Sequence, residues 1–285
     1  MLLAVAAIRT LLPLRRPTWN TEHLRYIAGY AVPLIPYALG TFALGQIDRV
    51  LLYEMRSAED AGLYSVVYNL AMMLPLAAAA LQRGLLPDWF RLRNDGDLNG
   101  SDRLALQSFA LVAGLGVLLL LCADETVYIL ADRRYAPAGA LMWIIVAAYV
   151  LDDLGRFHAR LIGFTRKMLW VSVVGLTAAV VNVLLNLWWI PLWGMAGAAW
   201  ATLVSFLVSA LLNRVCAVWI LGQPAPPVRQ FVPALLCVAI AAALRAVYIP
   251  GELQLGWLVT KLFTAALLLG VLYRIHSADK KALVR

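Results

Sequence analysis

The chain has 285 residues, of which 63% are hydrophobic and only 14% charged, with a mean hydropathy of +0.79. A soluble domain is typically about half apolar and a quarter charged. One compact core of this length cannot hide so much apolar surface, so a soluble enzyme is excluded and a bilayer is the expected solvent. The net charge of +8 does not point to nucleic acid, because the basic residues fall in short clusters between apolar runs and no recognition motif accompanies them.

Met1–Leu14 is apolar but is followed, not preceded, by Arg15 and Arg16. This is the reverse of a signal peptide. It reads as the cytoplasmic end of a preceding helix, and we expect a portion upstream of it. Eight segments then have the length and apolarity of a spanning helix, about 20 residues each. They lie near 27–47, 62–82, 104–123, 138–154, 168–190, 194–216, 231–249 and 256–274. The segments are too long for barrel strands, and an all-α, polytopic membrane bundle is predicted. Assigning alternate loops to opposite sides divides the 24 lysines and arginines about eighteen to six. The richer side carries both termini, which the positive-inside rule places in the cytoplasm.

Along the first span, Pro33, Pro36, Gly40 and Gly45 permit bending, and the ion pair Asp48–Arg49 follows near its outer end. An ionisable residue inside a span costs about 2.5–3.5 kcal/mol on insertion scales and generally faces a cavity or a partner. Two readings stand for this pair: a cavity site meeting substrate or a coupling ion, or a structural pair at the headgroups. Tyr64, Tyr68 and Asn69 in the second span are either sugar platforms or packing residues. Arg83, after the run Leu76–Leu81, is either a phosphate-binding fork or a topology anchor.

Asp152 and Asp153 lie near the end of the fourth span, where they form a candidate proton or Na⁺ site; alternatively Arg156 pairs with one of them along the helix. His23, His158 and His276 are expected in or beside cytoplasmic loops, solvated and without a catalytic role. In the fifth span Asn182 and Asn186 share a face from which their amides can bond across to a neighbour. Ile190-Pro191 is expected to end that helix, with Trp188, Trp189 and Trp193 in the interfacial belt. Gly194 opens the next span, and Gly194, Gly197, Ala201 and Ser205 are candidate helix-packing residues, Gly197, Ala201, Ser205 and Ser209 forming a small-residue stripe for close packing.

The stretches Pro33–Ala71 and Asn182–Phe206 together resemble the polysaccharide (O-antigen type) flippase branch of the multidrug/oligosaccharidyl-lipid/polysaccharide exporter superfamily. The first motif is a Pro-containing helix leading to Asp48-Arg49 and then Gly62 and Tyr64. The second, and more specific, is Asn182, Asn186, Ile190, Pro191, Gly194, Gly197, Ala198 and Ala199. The likeness runs over most of residues 27–275. It implies the second lobe of a two-lobe flippase plus the final helix pair, with a preceding six-helix lobe missing. The domain reading is therefore 1–26 as the end of a truncated helix and linker, 27–222 as a six-helix lobe, and 223–285 as a final helix pair with a basic tail. The resemblance implies transport of a polyprenyl-pyrophosphate-linked oligosaccharide across the inner membrane. Lipid II flippases and drug exporters of the same superfamily are the near alternatives.

No Gly-x-x-x-x-Gly-Lys-Ser/Thr loop, HExxH or nucleophile elbow occurs. Neither a catalytic residue nor a cofactor is predicted, and Cys122, Cys216 and Cys237 show no metal or disulfide spacing. The expected partners are the bilayer, the lipid-linked oligosaccharide and the missing lobe, with no nucleic acid. A membrane polymerase or ligase, or a non-transporting scaffold, is the alternative of another class. The former would need a large outer loop, and the longest here is about Asp124–Ala136.

Overall fold

The computed structural model describes residues 34–123 and 139–247, with a few single positions beyond them. Every element in it is a helix. Helix α1 covers Leu34–Met55, α2 Ala58–Ala71, α3 Met73–Asn94, α4 Leu98–Leu121, α5 Met142–Phe164, α6 Met168–Trp193, α7 Met195–Arg214 and α8 Val232–Val247. A π-helical turn, Val215–Ile220, extends α7. Among the described residues, four segments have both the length and the hydropathy of a membrane span: Ala58–Asn94, Leu98–Leu121, Met168–Trp193 and Met195–Ile220. The chain is a multi-pass helical membrane protein.

Local chemistry sets the helix starts. Ser57 Oγ accepts the Asp60 backbone N–H at 3.0 Å, and Glu59 and Asp60 occupy the first turn of α2. Carboxylates there favour the positive end of the helix dipole. Asp97 caps α4 in the same way, accepting from the Gly100 N–H at 2.8 Å.

Tight packing follows from small residues, because in lipid the gain on association comes from close backbone approach. Helix α7 packs on α5 and on α6, and α6 packs in turn on α1; α8 rests on α4. A side chain at Gly40 would touch the Gly175 carbonyl at 3.3 Å, which marks the α1–α6 contact. A Cβ at Gly197 would overlap the Trp189 carbonyl outright. Replacing Gly197 by valine must therefore separate α6 from α7. We expect a loss of about 1–3 kcal/mol or more, the scale of core overpacking, read as a lowered melting temperature in detergent. Ala201 and Ser205, on the same stripe, are fully buried.

Several predicted boundaries shift. The first span is α1, running on to Met55 rather than ending near 47, so Asp48 lies within it, nearly two turns from the last residue. The second runs through both α2 and α3 to Asn94. The fourth continues past Asp152 and Asp153 to Phe164, because those carboxylates have partners on the helix or across it. Pro191 does not end α6. Its missing N–H falls where Gly194, with φ +57°, closes the helix three residues later. The last predicted span, 256–274, the N-terminal segment, His23 and His276 lie outside the described residues.

Candidate functional site

Two neighbouring features occupy the interior: a buried polar layer and a cavity. Gly40 faces Gly175, and the Arg56 guanidinium lies beside Gly194. Helices α1 and α6 therefore run parallel, which brings Asp48 level with the segment holding Asn182 and Asn186. Asp48 is fully buried. Its Oδ2 accepts the Tyr64 hydroxyl at 2.9 Å, and its Oδ1 accepts the Arg49 backbone N–H, also at 2.9 Å. Thr202, from α7, reaches the same Tyr64 hydroxyl. Asn182 and Asn186 are fully buried and bond to each other rather than across to a neighbour, Asn186 Nδ2 donating to Asn182 Oδ1 at 3.0 Å. Within the protein, Asn182 Nδ2 and Asn186 Oδ1 have no partner. Buried polar atoms of this kind are costly unless a water, ion or ligand meets them.

Arg49 is not paired with the carboxylate beside it in sequence. Its guanidinium donates to Gln46 Oε1 at 3.4 Å and to Asn69 Oδ1 at 3.2 Å, and it lies 4.4 Å from the Tyr68 ring centroid. Such cation–π contact holds a cation without neutralising it. The guanidinium therefore keeps its charge available.

Below Arg49 opens a cavity of about 470 Å³ lined from α1, α2, α3, α5, α6 and α7. Tyr68, Tyr149 and Phe206 form one wall, with ring centroids 5.7 and 5.9 Å apart in succession. Asp152, Arg156, Ser209 and Asn213 also line it. Asp152 and Asp153 diverge. Arg156 donates through two nitrogens to Asp152 Oδ2, whereas Asp153 turns into the bundle and accepts from Gln82 Nε2 at 2.5 Å. The Asp152–Arg156 pair is thus the i,i+4 interaction that the spacing permits.

Of the other sequence candidates, Asn69 is exposed and enters through Arg49, and Arg83 sits on an exposed face of α3. Gly197 packs against α6 at Trp189, Gly194 lies beside Arg56 of α1, and Ala201 and Ser205 are fully buried; none of the four lines the cavity. Three cavity residues, Tyr149, Phe206 and Asn213, were not singled out by the sequence. Their residue types are ordinary in a span, and only the tertiary arrangement turns them inward. His158 is not solvated but fully buried. Arg214 Nη1 lies 3.0 Å from its Nε2, and Nδ1 is 2.9 Å from the Leu154 carbonyl. A guanidinium can only donate, so Nε2 accepts, Nδ1 carries the proton and the ring is neutral.

Among the described residues no group of three or more His, Cys, Asp or Glu is placed to hold a metal ion. No protein-family model matches the chain. A curated protein of Haemophilus influenzae, Lsg locus putative protein 1, is 30% identical over 113 residues, covering 39% of this chain and 28% of its own length. Among solved structures, the lipid II flippase MurJ in its inward closed conformation superposes with a TM-score of 0.67 at 11% identity. That match covers 99% of this chain and 60% of the flippase chain. This chain and the flippase share a fold, and the matches span 60% of the flippase chain and 28% of the Haemophilus protein.

Proposed function

We propose that the chain is one lobe of a membrane flippase carrying a polyprenyl-pyrophosphate-linked oligosaccharide across the cytoplasmic membrane, for cell-surface polysaccharide synthesis. The observation that carries this reading is Arg49: a guanidinium with no carboxylate bonded to it, set within a spanning bundle and beside a cavity. An anionic, polar headgroup needs such a sheltered cation, because an Arg fork fits phosphate oxygens and the charge–charge term is strong away from water. The lipid tail would stay in the bilayer. A fold shared with a flippase supports the same mechanism of alternating access, with a second lobe supplied by a preceding segment or a separate chain.

Transport against a gradient needs a coupling step. The buried Asp48 and the open Asn186 Oδ1 are acceptors suited to a proton or small cation, with Asp152 and Asp153 as the other candidate pair. A lipid II flippase is the second reading, favoured by the fold match alone.

The test is a proteoliposome assay with protein expressed from the complete reading frame. A fluorescent polyprenyl-pyrophosphate oligosaccharide should become accessible to an external quencher at least tenfold faster than in protein-free vesicles. Arg49→Gln should bring that rate close to background. Equal rates with and without protein would sink the reading, and faster movement of lipid II than of the oligosaccharide would favour the alternative.

A further inference from the structure

We propose that the cavity beneath Arg49 is a saccharide subsite contained within this lobe alone, a deepening that rests on the flippase reading above. A sugar ring presents two kinds of surface: apolar C–H faces and a rim of hydroxyls that both donate and accept. The cavity offers a complement to each. Tyr68, Tyr149 and Phe206 give a continuous aromatic wall, and such rings stack on C–H faces. Opposite chemistry comes from Asp152, Arg156 and Asn213, planar groups with several donors and acceptors fixed in place.

Asn213 gives the strongest indication of a ligand. Its side chain is more than nine-tenths buried, and Nδ2 donates to Ser209 Oγ at 3.3 Å. Its Oδ1, also buried, has no partner among the described residues. A hydroxyl donor from a ligand would satisfy it. Charge narrows the class further. Asp152 is held by Arg156, so the pair adds no net charge to this end of the cavity. A free phosphate would find no excess cation there, an organic cation no open carboxylate, and an acyl chain would strand the polar groups. A neutral polyhydroxyl ligand leaves none of these unmatched.

Size and position agree. A cavity of about 470 Å³ lies within the roughly 300–1,000 Å³ typical of ligand sites. It far exceeds the roughly 30 Å³ that one water occupies in the liquid. Tyr68 lines it while Arg49 lies against the Tyr68 ring, so a charged linkage at Arg49 would continue directly into a sugar in the cavity. The lobe would read both parts of one headgroup in sequence.

The probes are the methyl β-glycosides of glucose, galactose and N-acetylglucosamine, added to the full chain in nanodiscs. At least one should give a saturation-transfer NMR signal that Asn213→Leu reduces at least fivefold. The same glycoside should slow maleimide labelling of Ser209→Cys at least threefold, which keeps the test decisive if Asn213→Leu fails to fold. Absence of both signal and protection for all three glycosides overturns the subsite. So does a signal that neither Asn213→Leu nor the labelling registers, since binding then lies elsewhere. Sugar-free polyprenyl pyrophosphate, followed by native mass spectrometry, separates the two readings. Its binding without glycoside binding overturns the subsite and leaves the flippase reading standing. If neither binds, both fall.

Discussion

Replacing Asp48 by leucine is expected to abolish transport and to destabilise the lobe by about 1–3 kcal/mol, the cost of leaving a buried hydroxyl without its acceptor. The carboxylate is fully buried and ties three helices: it accepts from Tyr64 of α2 and from the Arg49 backbone, and Tyr64 is itself reached by Thr202 of α7. Leucine leaves the Tyr64 hydroxyl without its acceptor and Arg49 without the nearest negative charge. Asparagine separates the two effects. It keeps an oxygen for Tyr64 and most of the stability, but removes the charge that a coupling cation or proton would need. The expected pattern is a large fall in melting temperature for Asp48→Leu, a small one for Asp48→Asn, and at least a tenfold loss of flipping rate for both. Full transport by Asp48→Asn would remove Asp48 from the coupling step.

The second large effect is expected at Arg93. Its side chain is buried among three acceptors from two segments: Ser101 Oγ and Asp102 Oδ1 of α4, both at 3.1 Å, and the Pro224 carbonyl of the linker before α8. The Trp89 ring lies beneath it, 5.7 Å from centroid to guanidinium carbon. Arg214 makes a parallel contact to the Pro226 carbonyl at 3.3 Å. Prolines remove backbone donors but leave carbonyls, so a Pro-rich strand is held by side-chain donors from outside it. Arg93→Met should cost about 3 kcal/mol, the lower part of the range for a broken buried pair, because Asp102 is partly exposed. Faster protease cleavage between Gly222 and Pro227 would accompany the loss. Lysine, a single point donor, should restore only part of it. An unchanged cleavage rate in Arg93→Met would show that the linker is held by other contacts.

Much of the helical layout was legible because lipid imposes length and apolarity directly on sequence. The span predicted from 168 begins where α6 begins, at Met168, whereas α6 ends at Trp193 and not at Ile190-Pro191. The errors share one cause. Charges at Asp48, Asp152 and Asp153 seemed to mark the ends of spans, but each is compensated by a residue the sequence cannot place beside it, or only locally. Asp48 meets Tyr64 16 residues away and Asp153 meets Gln82 71 residues away, so the helices continue through them. His158 was misread for the same reason, its partner Arg214 being 56 residues distant. The i,i+4 pair of Asp152 with Arg156 was legible from helix geometry alone, as was the shared face of Asn182 and Asn186, but not that these two amides bond to each other rather than to a neighbour. The cavity was not: Tyr149, Phe206 and Asn213 come from two helices whose rotation is set only when they pack.

Met72 has a mechanical consequence. It joins α2 to α3 within one 37-residue helical segment, and Pro75, which lines the cavity, cannot donate back to the Ala71 carbonyl. The rod therefore lacks one backbone hydrogen bond beside the place where a ligand would sit, as it does again at Pro87 farther along α3. From there α3 runs 22 residues, an arm of roughly 33 Å at 1.5 Å per residue. A bend of about 10° at the pivot would swing its far end by roughly 6 Å over that length. Arg93 is near that far end and grips the strand leading to α8. A small flexure at the cavity would in this way be felt at the last described helix, through the linker carbonyl that Arg93 holds.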